Sequence, residues 1–179
     1  MRDDSLQALT KVCPAAGFAI EPFEGEKLHR TVPASFDTVV ARLSAELGRL
    51  SADEVNVLAA EAADHAAFGR AVQARLGASG FVVLGVIDHG TWLKLFGHPG
   101  RLERWFVGNP LIAETMIAED RVAGLFAPVE LLIDEVGPAQ TRITLVRPSA
   151  LIGRGHSEAL DRITAMLDAK LLALIEHAG

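Results

Sequence analysis

Tyrosine is missing from this 179-residue chain, and cysteine occurs once, at Cys13. A lone thiol closes no internal disulfide and builds no cysteine metal cage, which points to a reducing, cytoplasmic setting. Blocks of like charge are lacking too. The 17 basic and 23 acidic side chains are interspersed, for a formal charge of -6, so no basic patch marks a nucleic-acid or anionic-membrane surface. No apolar run approaches the ~18 residues of a membrane-spanning helix; the richest stretches, FVVLGVI and LLALI, read as core elements. The opening MRDDSLQALTKVCPAAGFAI places two aspartates directly after Arg2 and lacks the continuous apolar segment of a secretory leader.

What is present is enough for one core: half of the residues are apolar, which fits a single domain at this length. Residues 1–27 read as an arm around the short apolar segment GFAI, and residues 28–179 as one α+β domain. LHRTV alternates as a first strand, and Ser35 after Pro33 caps a helix whose stripe is Phe36, Val39, Val40, Leu43 and Leu47. Ser51-Ala-Asp-Glu54 is a capping box, with Leu50 and Val55 placed as a hydrophobic staple. The helix it starts runs to Gly77 and carries His65 on its apolar stripe, where a hydrogen-bonded structural histidine is the expectation rather than a ligand. FVVLGVIDHG is apolar on both alternating faces, as for a central strand covered on both sides or at a dimer contact. ERWFV is a further strand, PVELLIDEV and TRITLV form a hairpin across Gly137-Pro138, and Ser157 to His177 is an amphipathic helix. Met166 and Leu172 widen that helix's apolar stripe beyond one face, which hints at a partner surface. The irregular order of strands and helices favours a curved, mainly antiparallel sheet packed against helices.

WFVGNP raises the functional question. Asn109 before Pro110 is a helix start: the amide side chain accepts from a free N–H, and proline at the first helical position has none to leave unpaired. The same geometry favours an anionic ligand at the free N–H groups that follow.

The ordered set VIDHG, WFVGNP, a short helix with a methionine, APVELLI and VRPSALI resembles the family called domain of unknown function 302, best over residues 80–152. The resemblance implies a small α+β unit with a curved antiparallel sheet, often homodimeric, and no agreed activity. Two departures stand out. Family members often carry a tyrosine where this chain reads Thr144 to Pro148, and the helical segment 51–79 looks like an insertion.

The chemistry-bearing residues at strand ends are Asp88, His89, Asn109 and Arg147, and the leading expectation is a small anionic ligand, a carboxylate or phosphate, held there. Catalysis is left open. Neither Cys13 nor Ser149 sits in a nucleophile elbow, and adjacent Asp88 and His89 point to opposite faces of a strand. The alternative is a homodimeric interaction module without chemistry. A second alternative, a metal at His89, His98 and Asp88 or a haem at His65, His89 or Met116, matches no standard spacing, so no metal ligand set is assigned and the cofactor is left unknown.

Overall fold

A computed structural model describes residues 24–153 and 157–179. The expected arm over 1–27, with GFAI and Cys13, lies outside the described residues up to position 23. The chain then runs through β1 (Lys27–Val32), α1 (Phe36–Glu46), β2 (Gly48–Arg49), α2 (Ala52–Glu61), α3 (His65–Gln73), β3 (Val82–Asp88), α4 (His89–Leu93), β4 (Leu102–Gly108), α5 (Pro110–Glu119), β5 (Val129–Gly137), β6 (Gln140–Val146) and α6 (Glu158–His177). Short 3-10 turns follow α4 and α5.

The strands form one six-stranded sheet in the order β1-β6-β5-β4-β3-β2, antiparallel throughout except for the β2–β3 pair. This is the expected α+β architecture. Register irregularities at Val83/Gly85 and Glu135/Gly137 add curvature. On one face, Trp105, Val107, Leu131, Ile133, Ile143 and Leu145 alternate inward and meet Phe36, Val39 and Leu43 of α1 and Leu160, Leu167, Leu171 and Leu174 of α6. A second, smaller cluster joins Leu50, Val72 and Val82 to Val55, Leu58 and Phe68. Val83 belongs to the main core and its neighbour Val82 to this second one, so the two clusters lie on opposite faces of β3.

The local signals explain the starts of the helices. Ser35 accepts from the Thr38 N–H, and Ser51 and Glu54 exchange both bonds of the capping box, at 3.2 and 2.7 Å. The expected helix from Ser51 to Gly77 is instead two helices. Asp64 takes an extended conformation and accepts from the Ala67 N–H at 2.7 Å, starting a new helix instead of continuing the old one. His65 is therefore the exposed first residue of α3 and not part of a buried stripe. The β3 segment also departs from a strand covered on both sides. Its partner β2 is two residues long, so beyond Val83 no strand among the described residues pairs with that side of β3, and Val86 and Ile87 are exposed.

Candidate functional site

Asn109 carries out the capping role: its Oδ1 accepts from the Leu111 N–H at 2.8 Å, and Pro110 opens α5. Its Nδ2 also donates to the Gly80 carbonyl at 2.9 Å, which ties the start of α5 to the turn before β3. Both ends of the amide are therefore engaged. The next N–H groups, of Ile112 and Ala113, are directed to the Asn109 carbonyl. An anion held by these N–H groups alone has little left to bind.

The other strand-end residues divide between the two ends of the sheet. β3 runs antiparallel to β4, and Asp88 pairs with Glu103 while Val82 pairs with Gly108. Six residues of extended chain separate Glu103 from Asn109, about 20 Å at ~3.3 Å per residue, so Asp88 and His89 do not meet Asn109. Asp88 caps α4 instead, accepting from the Thr91 N–H at 3.0 Å and from its hydroxyl. These bonds, the side-chain one foremost, hold the Asp88 carboxyl below its ordinary range. His89 stacks edge-on against Trp92, with ring centroids 5.7 Å apart. Arg147 does lie at the Asn109 end, because β4 and β6 both run antiparallel to β5. It is committed, however, with Nη1 2.6 Å from Glu26 and Nε 3.3 Å from Asp168, and Asp168 in turn accepts from Ser149. Arg147 fastens the end of β6 to α6.

At the Asn109 end there is a cleft of about 630 Å³. Its walls are Val55 and Phe68 from α2 and α3, Leu84 of β3, Ile112, Met116 and Ile117 of α5, and Pro128, Val129 and Leu167. Asn109 is part of this wall. Polar groups are few: Glu114 and Arg121 line it, and both are exposed. Among the described residues the Arg121 side chain makes no hydrogen bond or ion pair. Among the described residues the lining holds no histidine, cysteine or serine. Sequence reasoning missed Arg121 and the apolar walls, which come from six separate stretches of chain. The only local hint at Arg121 is Asp120, which caps the turn that carries it. A second, smaller cavity of about 370 Å³ lies on the outer side of the sheet, between Lys27, Arg104, Leu132 and Thr144.

For a metal, no group of three or more histidine, cysteine, aspartate or glutamate side chains is assembled among the described residues. Met116 is buried in the cleft wall, whereas His89 is at the far end of the sheet, so the two do not form a haem-ligand pair.

A small α+β domain with a curved antiparallel sheet and an apolar cleft at its strand ends is the class that this geometry defines. The chain belongs to the family described as Domain of unknown function DUF302, whose profile matches residues 55–178. The match takes in most of the helical segment 51–79. A similar fold is seen in the crystal structure of an uncharacterized conserved protein DUF302 from Bacillus stearothermophilus, with a TM-score of 0.59 at 20% identity, covering 86% of this chain and 98% of that one. No curated protein matches the sequence. No helix among the described residues is long and apolar enough to cross a membrane.

Proposed function

We propose that this protein binds a small amphiphilic anion in the cleft beside Asn109, with the ligand's apolar body against Phe68, Leu84, Met116 and Ile117 and its carboxylate or phosphate at Arg121. The observation that carries this reading is the pairing of a concave apolar wall with one unengaged guanidinium at its rim. The volume lies within the ~300–1,000 Å³ of small-molecule sites, and burial of apolar surface supplies affinity while the charge selects. The role is binding. Among the described residues Glu114 is the only carboxylate in the lining, and none beside it is arranged to pass a proton to or from a ligand.

Octanoate and octanol are suitable probes because they share a body and differ in the head. Octanoate at a hundred times its Kd stabilises the fold by ~2.7 kcal/mol, a rise in Tm of roughly 5–11 °C at this chain length. Arg121→Gln lowers octanoate affinity about fivefold, the discount for an exposed charge included, and leaves octanol unchanged. No stabilisation by either probe at millimolar concentration defeats the reading.

We also infer that the chain forms a homodimer through α6, on a separate observation. The exposed positions of that helix from Asp161 to His177 fall in pairs about Ala169. With two copies antiparallel, Asp161 faces His177, Arg162 faces Glu176, Ala165 faces Ala173 and Met166 faces Leu172, each pair at equal distance from Ala169. The small alanines allow close approach, and Arg162 meets the oppositely charged Glu176. Met166 and Leu172, 43% and 37% exposed, are the apolar surface such a contact would cover.

A further inference from the structure

Among the described residues that line the Asn109 cleft only two are charged, Glu114 and Arg121, and their signs are opposite. Both are exposed, and among the described residues the Glu114 side chain, like that of Arg121, makes no hydrogen bond or ion pair. The two belong to one stripe of α5 and the turn that follows it. Pro110, Glu114, Ile117 and Arg121 recur at the spacing of a single helix face, and all four line the cleft. Glu114 and Arg121 are therefore about 10 Å apart along the helix, at ~1.5 Å per residue. Ile117, 37% exposed, stands between them. A ligand whose carboxylate meets Arg121 and whose body lies along Ile117 brings its far end to the Glu114 carboxylate. A methyl group there strips water from an ionised oxygen and gives nothing in return. A second anionic group is repelled, whereas an ammonium replaces the lost water with a charge-assisted hydrogen bond.

We propose that the ligand of this cleft is a zwitterion: an apolar body with a carboxylate or phosphate at one end, held by Arg121, and a protonated amine about 10 Å away, held by Glu114. The proposal rests on the binding reading given above and narrows its ligand from amphiphiles with an anionic head to amphiphiles charged at both ends. The chemistry is that of an ω-amino acid with a long apolar spacer. Glu114 thereby has the part of a specificity residue: it discriminates against a ligand with an apolar far end and against one with two anionic ends. The lining charges sum to zero, as do those of such a ligand, so a fully matched complex leaves no unpaired charge beside the apolar wall.

The test compares 8-aminooctanoate with octanoate. The two share a body and a carboxylate and differ at the far end, and an extended eight-carbon chain with C–C bonds of ~1.5 Å spans roughly 10 Å. Calorimetric titration of the full chain gives both affinities in wild type, Glu114→Gln and Glu114→Lys; the position is exposed, so the fold tolerates both changes. The readout is the ratio of the two affinities, because the hydration that the ammonium gives up is common to all three proteins. Glu114→Gln is expected to lower the affinity for 8-aminooctanoate relative to octanoate about threefold, the effect of an exposed ion pair, and Glu114→Lys to lower it further. Raising the salt is expected to bring the wild-type ratio toward that of Glu114→Gln. A ratio that is the same in all three proteins, or no wild-type binding of 8-aminooctanoate where octanoate binds, overturns the proposal and leaves the cleft as a site for a singly charged amphiphile. Failure of both compounds to bind wild type at millimolar concentration overturns the proposal together with the reading on which it rests.

Discussion

Replacing Asn109 by alanine probes the joint on which the cleft is built. Two bonds are removed at once: the cap to the Leu111 N–H at 2.8 Å and the cross-link from Nδ2 to the Gly80 carbonyl at 2.9 Å. The lost cap costs ~1 kcal/mol, and a partly buried neutral hydrogen bond contributes ~1 kcal/mol more, so Asn109→Ala is expected to lose about 2 kcal/mol. Near the melting temperature this is a fall of roughly 4–8 °C for a chain of this size. Asn109→Asp separates the two contributions. It keeps the acceptor for the cap and favours the helix N-terminus, but it has no donor for Gly80 and places a carboxylate against that carbonyl, so it is expected to lose about half as much, ~1 kcal/mol. Denaturant titration with a constant m-value measures both. A loss below about 0.5 kcal/mol for Asn109→Ala, within the spread of neutral surface changes, or an aspartate variant worse than alanine, refutes the reasoning.

The start of α4 carries a pH signature of known sign. Because the Asp88 carboxyl is held below its ordinary value by the Thr91 bonds, the order it gives to α4 is present above the usual carboxylate range and lost as the pH falls through the lowered value. Trp92 emission is expected to shift toward that of a solvated indole in this acid window, and to lose the transition in Asp88→Asn; an identical acid profile in that variant contradicts the assignment. For self-association, Ala169→Glu places two like charges at the proposed two-fold axis and is expected to convert a dimer to a 19.1 kDa monomer in sedimentation without loss of helix. A monomeric wild type at tens of micromolar protein removes the dimer.

What was legible in the sequence was local. The capping box at Ser51, the Asn109-Pro110 helix start, the Gly137-Pro138 hairpin and the inward stripe of α6 each depend on residues a few positions apart, and all are present. Strand direction is not local. Grouping Asp88 and His89 with Asn109 requires the C-terminal ends of neighbouring strands to coincide, and the antiparallel pairing of β3 with β4 sends them to opposite ends. The break between α2 and α3 was hidden by apolar spacing that continues through Asp64, whose capping bond to Ala67 outweighs that periodicity. The apolar run of β3 suggested cover on both sides; its length exceeds that of its neighbour β2, and the surplus is the exposed end that leads into α4. Arg147 stood at the right end but is consumed by Glu26 and Asp168, while Arg121, with no sequence signal of its own, faces the cleft.

Entry of a ligand into the apolar cleft is reported directly by the methionines. The chain has three methionines; of the two in the described residues, Met116 is buried in the cleft wall and Met166 lies exposed on the outer face of α6. In methyl NMR spectra of protein labelled at methionine, titration with octanoate is expected to move the Met116 signal along a saturable curve and leave Met166 in place, with the saturation point shifted to higher concentration in Arg121→Gln. A Met116 signal that stays fixed while octanoate is added to millimolar concentration, or that moves no more than Met166, contradicts the account.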